Sequence, residues 1–408
     1  MKILSGFSNL EKIAALVSTA YLFLSIYPLP MWLIPNPPVY GIIFFCLFII
    51  SSLFFFNNKI VVTPYSLIVL FSLLLLVLYF VLPISEPIIN FGVLIRFSSL
   101  ILIILLNDKI HFLTFKYFKD LIVFFSFFSI IIFLITLLGI ELPYFRIEGF
   151  SLPMVGKDAY YKVYLFVVSS TNTIFNVMGI TIARVCGPFL EPGHFAIYIG
   201  IVQVIEKILF GKINKILTIA GVLTFSPAYY IILVMIFLFD IFIKKRIKLL
   251  FTLSFSLLIS MLTLSQNEIV KQAIYYITIG RNISHIKDAS LDTRTSNIAL
   301  NEYSRFSKTA KVYTGMGLEW ANKNLKVLSD FRGFIYRHGI IGMILSVLAI
   351  LIILSRSNFN LFILLFSIAI LIHAHRSWMF AGPYIYILLF IGVASNRYLS
   401  IKNSSTVV

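Results

Sequence analysis

The sequence predicts an all-α polytopic membrane protein with about twelve transmembrane helices, cytoplasmic termini and two large external loops. Of its 408 residues 60% are hydrophobic and 12% are charged, and the mean hydropathy is +1.00. Ordinary soluble chains are about half apolar and a quarter charged, so this composition excludes a water-soluble globule. The apolar residues stand in long runs rather than in alternation, which excludes a transmembrane β-barrel.

The predicted spans are apolar windows bounded by charged residues or proline, most of them close to the ~20 residues that cross a bilayer. The seventh and eighth windows are short and meet at residues 224–227, where a single interrupted helix is the alternative. Basic residues at both outer ends of this pair favour two passes. The predicted spans are 13–27, 39–56, 65–82, 88–106, 121–140, 195–210, 216–225, 228–243, 249–264, 339–354, 359–372 and 378–393.

The distribution of lysine and arginine predicts the orientation. Lysine and arginine accumulate in short loops on the cytoplasmic side of a membrane. The short turns 29–38 and 83–87 carry neither residue, which places these turns outside. With both termini inside, the chain divides into helices 1–5 (1–140), a first external loop (141–194), helices 6–9 (195–264), a second external loop (265–338), and helices 10–12 with a cytoplasmic tail (339–408).

The two long loops carry their own signals. In 141–194, β-branched and aromatic residues at 160–168 and 174–182 flank the turn formers 169–173, which predicts a β-hairpin, with a re-entrant helix as the alternative. The loop 265–338 holds eleven Lys or Arg against six Asp or Glu, a net charge of +5. This charge is typical either of a solvated loop near anionic lipid or of a surface that recruits a diphosphate or another anionic head group.

The residues before the sixth span form a candidate anion site. Glu191 precedes Pro192, which favours a helix beginning there, and His194 follows in its first turn. Helix amino termini bind anions, and Arg184 adds a planar donor fork suited to phosphate. Simple helix capping by Glu191 is the structural alternative.

Further cations stand at predicted external ends of spans. Arg332, Arg337 and His338 directly precede the tenth span, where a snorkelling arginine is common on structural grounds alone. Taken together, the external cations and imidazoles indicate a site that faces outward. They comprise Arg184, His194, Arg337, His338, His373, His375 and Arg376.

Arg96 lies about eight residues into the fourth predicted span. An arginine at such a depth costs about 2.5–3.5 kcal/mol on insertion scales unless it faces a polar cavity. We therefore expect Arg96 either to line a cavity or to pair with Glu86 or a carbonyl group.

The sequence predicts no metal and no cofactor. It has two cysteines, Cys46 and Cys186, and contains neither a phosphate-binding glycine loop nor an HExxH motif. His373 and His375 are two positions apart, and such side chains diverge on a helix. The formal charge of +17 is mostly a topology signal and does not imply nucleic-acid binding.

Two stretches carry a family resemblance. Residues 184–196 (Arg-Val-Cys-Gly-Pro-Phe-Leu-Glu-Pro-Gly-His-Phe-Ala) and 336–343 (Tyr-Arg-His-Gly-Ile-Ile-Gly-Met), with the large second loop, resemble the bacterial O-antigen or capsule repeat-unit polymerases (Wzy family), relatives of the O-antigen ligases. A third similarity is Asp-Thr-Arg at 292–294 followed by Thr-Gly-Met-Gly at 314–317. The sequence departs from the family at 224–227, where many relatives have an arginine after the serine; that role is vacant or supplied by Arg96 or Arg376.

The resemblance implies a metal-independent glycosyltransferase that joins undecaprenyl-diphosphate-linked oligosaccharides on the outer face of the bacterial cytoplasmic membrane. Membrane lipids and a chain-length regulator protein are the further partners. On this reading arginine stabilises the departing diphosphate, a base removes the acceptor proton, and other cations hold substrate. The hypothesised residues are Arg184, Arg294 and Arg337 in the diphosphate clamp, Glu191 or His338 as base, and His194, Arg96, Arg332 and Arg376 in substrate binding.

Three alternatives stay open. An O-antigen ligase would use the same chemistry to move a finished polymer onto the lipid A core. A lipid-linked oligosaccharide flippase also has about twelve spans, but such transporters usually have short loops, whereas these loops have 54 and 74 residues. A membrane scaffold without enzymatic activity is the third.

Overall fold

The computed structural model describes residues 7–26, 28, 63–82, 94, 97–98, 100–147, 160–170, 174–177, 180–243, 297–317 and 330–405. These parts are mostly helical, with five short strands. The helices are α1 (Asn9–Ser25), α2 (Pro64–Val81), α3 (Asp108–Leu137), α4 (Pro192–Phe210), α5 (Lys215–Leu223), α6 (Pro227–Ile243), α7 (Asn297–Phe306), α8 (Phe331–Leu354), α9 (Phe359–Arg376) and α10 (Tyr384–Ser405). The strands are β1 (Phe145–Ile147), β2 (Tyr161–Tyr164), β3 (Val167–Ser170), β4 (Ile174–Val177) and β5 (Ile180–Ala183).

Six described helices, α2, α3, α4, α8, α9 and α10, are long and apolar enough to cross a membrane. This confirms a helical membrane protein. The count of twelve spans and the orientation stay predictions. The predicted spans 39–56 and 249–264 lie outside the described residues, as do nine of the 19 residues of 88–106.

Three helices begin elsewhere than the hydropathy windows predicted. Helix α3 begins at Asp108 rather than residue 121, because the Asn107 side chain accepts from the Ile110 N–H and caps the helix. Its basic first turns are tolerated because Lys109 and Lys119 pair with Glu11 and Glu206.

Helix α8 begins at Phe331 rather than residue 339, with the Asp330 side chain accepting from the Arg332 N–H. The predicted start, Gly339, is instead a break inside the helix (φ 70°, ψ 177°). Helix α10 begins at Tyr384 rather than residue 378, because the 3-10 turn Ser377–Ala381 and Pro383 intervene. Because α8 begins at Phe331, the residues Arg332, Arg337 and His338, which the sequence placed at the end of the second loop, lie on a helix.

Residues 215–243 form two helices, as predicted, with a reversal at Phe225 (φ 47°). However, α5 has nine residues, and its length of about 14 Å is less than half of the ~30 Å hydrocarbon thickness. Helix α5 is therefore too short to cross a bilayer by itself, and the additional pass that the sequence predicted here stays a prediction.

The first long loop contains β-structure, as predicted, but the predicted turn is wrong. Strands β1, β2 and β3 form one antiparallel sheet, and β4 and β5 form a separate antiparallel pair. The chain reverses at Leu165 (φ 54°) and Phe166, within the run predicted as one strand. The Phe166 ring packs on Phe124 and Phe128 of α3, a tertiary contact that local turn chemistry does not reveal.

Ion pairs and hydrogen bonds join the helices at one end of the bundle, which we call the Arg397 end. Arg397 of α10 donates to Asp108 of α3 (Nη2 to Oδ1, 2.7 Å), and its guanidinium lies 4.7 Å from the centroid of the Tyr65 ring. The Tyr65 hydroxyl of α2 donates to the Ile353 carbonyl of α8. These contacts place the start of α2 and α3 beside the last turns of α8 and α10.

The packing of α5 on α6 gives a first prediction. A Cβ at Gly221 would overlap the fully buried ring of Tyr229, whose hydroxyl donates to Gln203 Oε1 (2.8 Å). Because the ring is rigid, Gly221→Ala should destabilise the protein by about 1–3 kcal/mol. The thermal unfolding midpoint in detergent measures the loss.

The matched control for this prediction is Ile219→Ala on the same helix, whose side chain is half exposed. We expect a change within about 0.5 kcal/mol there. Equal midpoints for Gly221→Ala and the unsubstituted protein would contradict the α5–α6 packing.

Candidate functional site

A carboxylate and two cationic or titratable groups meet where α4 begins and α9 ends. We call this the Arg376 end of the bundle. The Glu191 side chain, at the N-cap of α4, makes no capping hydrogen bond. Instead its Oε2 accepts from Arg376 Nη1 (2.5 Å) and lies 3.6 Å from His194 Nε2. The sequence-predicted Glu191, His194 and Arg376 are therefore brought together.

Gly193 makes this cluster sterically possible. A Cβ at Gly193 would overlap the Arg376 guanidinium. The Arg376 side chain is only 7% exposed, whereas Glu191 is 35% exposed. The pair thus combines a nearly buried cation with a carboxylate that solvent or a ligand can reach.

The second loop docks on the break in α8. At Gly339 the helix is interrupted, and backbone groups around the break bond to residues 313–317: Met316 N–H donates to the Tyr336 carbonyl (2.8 Å), and Gly317 N–H to that of Arg337 (3.1 Å). The Tyr79 hydroxyl donates to the His338 carbonyl (2.8 Å). The two sequence stretches 314–317 and 336–338 are therefore in direct contact.

Glycine is required on both sides of this contact. A Cβ on Gly315 would overlap the Arg337 carbonyl, and a Cβ on Gly339 would overlap the Tyr313 carbonyl. Both residues have positive φ, 83° and 70°, which side-chain-bearing residues rarely adopt. Any larger residue at either position would separate the loop segment from the helix.

Arg337 and His338 directly precede this break in the chain. The His338 ring is buried between Phe80 and Phe334, at centroid distances of 4.3 and 4.9 Å. Within the described residues, neither His338 Nε2 nor Arg337 Nε has a hydrogen-bond partner. The Arg337 Nε–H is therefore a buried donor without a partner among these residues, which is costly unless an acceptor arrives.

A second histidine, His373, is separated from His338 by the ring of Phe334. His373 Nε2 is 2.9 Å from Ser346 Oγ, which is 2.5 Å from the Tyr386 hydroxyl, so the three residues join α8, α9 and α10. The Phe334 ring contacts both His338 and His373 (5.5 Å), and His373 lies one helical turn before Arg376. Arg337 and His338 thus belong to the Arg376 end.

Sequence reasoning missed Ser346, Tyr386 and Tyr79. The signal that could have found them is a hydroxyl group inside an apolar span, where burial requires a hydrogen-bond partner. Their partners lie on other helices, and a single sequence does not identify those.

Arg184 lies at the break between α5 and α6. Its Nε donates to the Thr224 carbonyl (2.8 Å) and its Nη2 to that of Phe225 (3.0 Å). These carbonyls end α5, where a cation is favoured by the helix dipole. From the sequence, the role of the relatives' arginine at this junction was vacant or supplied by Arg96 or Arg376; among the described residues, the Arg184 guanidinium reaches the junction.

A small cavity of about 20 Å³ beside Arg184 has room for one water molecule. Polar side chains from the sheet and from α3 contribute to its lining. Those polar residues are Ser129, Thr136, Tyr164 and Ser169. Tyr161 of the same sheet packs in one buried cluster with Leu190, the residue before Glu191, so the sheet stands close to the Glu191 cluster. Burial raises the pKa of the Tyr161 phenol, and the negative charge of Glu191 raises it further.

Of the three remaining predicted residues, only Arg332 is among those that the structure describes. The Arg332 Nε donates to Asp330 Oδ2 (2.8 Å), so this guanidinium is engaged at the beginning of its own helix. Arg96 and Arg294 lie outside the described residues. Within the described ranges no three His, Cys, Asp or Glu side chains lie together in the manner of a metal site, so no ligand set can be named.

Comparisons of the chain with models of protein families, with curated proteins and with solved structures gave no match.

The Glu191–Arg376 pair gives a second prediction. Glu191→Gln removes the charge that neutralises a nearly buried guanidinium. Because the carboxylate is partly hydrated, we expect a loss of about 1–3 kcal/mol rather than the full cost of breaking a buried pair. The thermal unfolding midpoint in detergent measures it.

Glu141→Gln is the control for the second prediction, since Glu141 pairs with Lys162 but is 73% exposed. Its substitution should change stability by less than about 0.5 kcal/mol. Similar shifts in both variants would show that the Arg376 pair contributes no more than a surface contact.

Proposed function

We propose that this chain is an integral membrane glycosyltransferase that joins undecaprenyl-diphosphate-linked oligosaccharide units on the outer face of a bacterial cytoplasmic membrane, as a repeat-unit polymerase. The acceptor hydroxyl oxygen forms a bond to C1 of the donor sugar while the bond from C1 to the diphosphate oxygen breaks. The electron pair leaves with the diphosphate, and the hydroxyl proton passes to a base. No nucleotide is needed, because the donor already carries its leaving group.

The observation that carries this proposal is the cluster at the Arg376 end. Arg376 and His194 meet at the partly exposed Glu191 carboxylate there, and the Phe334 ring links His373, one turn before Arg376, to His338 and its neighbour Arg337. Cations at such a position are costly unless they serve an anionic ligand or an ion pair. The residues are Arg337, Arg376, His194, His338, His373 and Glu191.

In this proposal Arg337 and Arg376 stabilise the departing diphosphate. The Nε of Arg337 lacks a partner among the described residues, and a phosphate oxygen would satisfy it. Arg376 holds Glu191 but has further N–H groups in its planar fork. Because both cations are poorly hydrated, they would act strongly on charge that develops in the transition state.

Glu191 is the better candidate base. Its carboxylate is accessible and lies between Arg376 and His194. His338, the other candidate, is buried between two phenyl rings, so an acceptor hydroxyl reaches it less readily. Arg184 is engaged with two carbonyl groups, and we assign it to positioning the α5–α6 break rather than to the diphosphate.

A transporter of lipid-linked oligosaccharides is the second candidate, and the interrupted α8 favours it. Helices broken at membrane depth line ligand sites in many transporters. An O-antigen ligase would share the transferase chemistry described above.

Deletion of the gene in its source bacterium, with gel analysis of the surface glycan, tests the proposal. A polymerase predicts that the ladder collapses to a single repeat on the core. Free polymer with none attached would indicate the ligase, and lipid-linked units retained inside the cell would indicate the transporter. An unaltered ladder would exclude all three functions.

A third prediction concerns the guanidinium groups. Arg337→Lys and Arg376→Lys keep the charge but lose the planar fork, so transfer should fall about 10²–10³-fold, as for loss of one oxyanion donor. Complementation of the deletion strain should then give short or single repeats, with the variant at normal abundance in the membrane.

The control is Arg397→Lys, at the opposite end of the bundle and paired with Asp108. It should restore the full ladder. A full ladder with Arg337→Lys or Arg376→Lys would remove that residue from the mechanism.

A further inference from the structure

One face of the β1–β2–β3 sheet carries aromatic rings and charges. Arg146 on β1 pairs with Lys162 on β2, and Tyr144 and Tyr160 stand just before these two strands. Alternation along a strand puts these four residues on one face. The other face carries Ile147, Tyr161, Val163 and Val168, which pack on Cys186 and Leu190.

The four side chains hold one another in place. The Arg146 guanidinium carbon lies 4.0 Å from the Tyr160 ring centroid, and Lys162 Nζ lies 4.5 Å from that of Tyr144. The two rings are nearly parallel (18°) at 6.5 Å, and their hydroxyl contact raises the pKa of Tyr144. Glu141 adds an acceptor, with Oε1 3.3 Å from Lys162 Nζ.

Neither core packing nor simple contact with lipid accounts for this face. Arg146 and Glu141 are exposed, and Tyr144 and Tyr160 are partly exposed. Tyrosine alone is common at membrane interfaces, but here the rings lie among two cations and a carboxylate. Rings with an apolar surface, ordered beside hydrogen-bonding groups, match a sugar ring, which has an apolar C–H face and a rim of hydroxyl groups.

The position of the sheet is consistent with a ligand carried on a membrane lipid. Its Phe166 turn packs on Phe124 and Phe128, which lie about 20 and 14 Å before the end of α3 at Leu137. The turn therefore lies beside the middle part of the apolar helix α3, whereas Tyr160 lies at the opposite end of β2. Tyr161 packs in one buried cluster with Leu190, the residue before Glu191, so this end stands near the Arg376 end.

We propose that the face formed by Tyr144, Arg146, Tyr160, Lys162 and Glu141 binds the oligosaccharide part of the substrate. The choice of a glycan as ligand rests on the proposed function. The rings stack on sugar C–H faces, and the charged groups bond to hydroxyl or carboxyl oxygens. Such a subsite would hold a growing chain beside the site of transfer.

The test measures binding of the full-length protein in lipid nanodiscs. The probe is the polysaccharide that mild acid releases from the surface of the source strain, titrated by biolayer interferometry. The Tyr144→Ala/Tyr160→Ala variant should bind at least about tenfold more weakly than the unsubstituted protein, since it loses both stacking surfaces. Unfolding midpoints establish that the variants are folded.

Phe145→Ala is the matched control, because Phe145 is 76% exposed on the opposite face of the same strand. It should change affinity less than about twofold. The proposal is overturned if the double variant binds as the unsubstituted protein does, if Phe145→Ala weakens binding equally, or if the unsubstituted protein does not bind the probe.

Failure of this inference is distinguishable from failure of the proposed function. A collapsed ladder in the deletion strain with unchanged binding by the double variant would retain the transferase and reject the subsite. Binding that depends on Tyr144 and Tyr160, with an unaltered ladder on deletion, would retain the glycan subsite and reject the transferase.

Discussion

The ion pair between Arg376 and Glu191 joins the end of α9 to the start of α4 and so fixes the arrangement of the candidate site. A guanidinium that is nearly buried among apolar helices is stable only if a carboxylate or another acceptor neutralises it. Glu191 does so from the beginning of α4, and Gly193 leaves the space that the guanidinium occupies. The end of α9 is thereby fixed beside the start of α4, which also brings His194 to the same carboxylate.

The interrupted helix α8 extends this arrangement to the second loop. At Gly339 the backbone leaves the helical conformation, and residues 313–317 supply the hydrogen-bond partners that the helix would otherwise provide. Because a buried backbone group without a partner is costly, the loop and the break stabilise each other. Arg337 and His338, immediately before the break, are consequently fixed against α2 and next to the ring of Phe334, which also contacts His373.

The same principle explains why the candidate cations differ in what they can do. Arg184 and Arg332 are engaged, one with the carbonyls that end α5 and the other with Asp330 of its own helix cap. Arg337 retains a donor without a partner among the described residues, and Arg376 shares its carboxylate with a histidine. On the proposed function, Arg184 and Arg332 therefore hold the scaffold, whereas Arg337 and Arg376 can meet an anionic leaving group.

The sequence by itself determined that this is a helical membrane protein, because hydropathy sums over one segment and needs no knowledge of its neighbours. It also indicated where α4 begins, from Pro192, and which arginines and histidines could form a site. Tertiary structure decided the rest: that α3 runs through Lys119, that the sheet turns at Leu165, that α8 breaks at Gly339, and that Arg376 rather than Arg184 meets Glu191. Each of these depends on a partner far away in the chain, such as Glu206 for Lys119 or Phe124 for the turn at Phe166. The local sequence pattern indicates which secondary structure a segment favours. Ion pairs and ring contacts depend instead on which distant segments pack together in the folded protein.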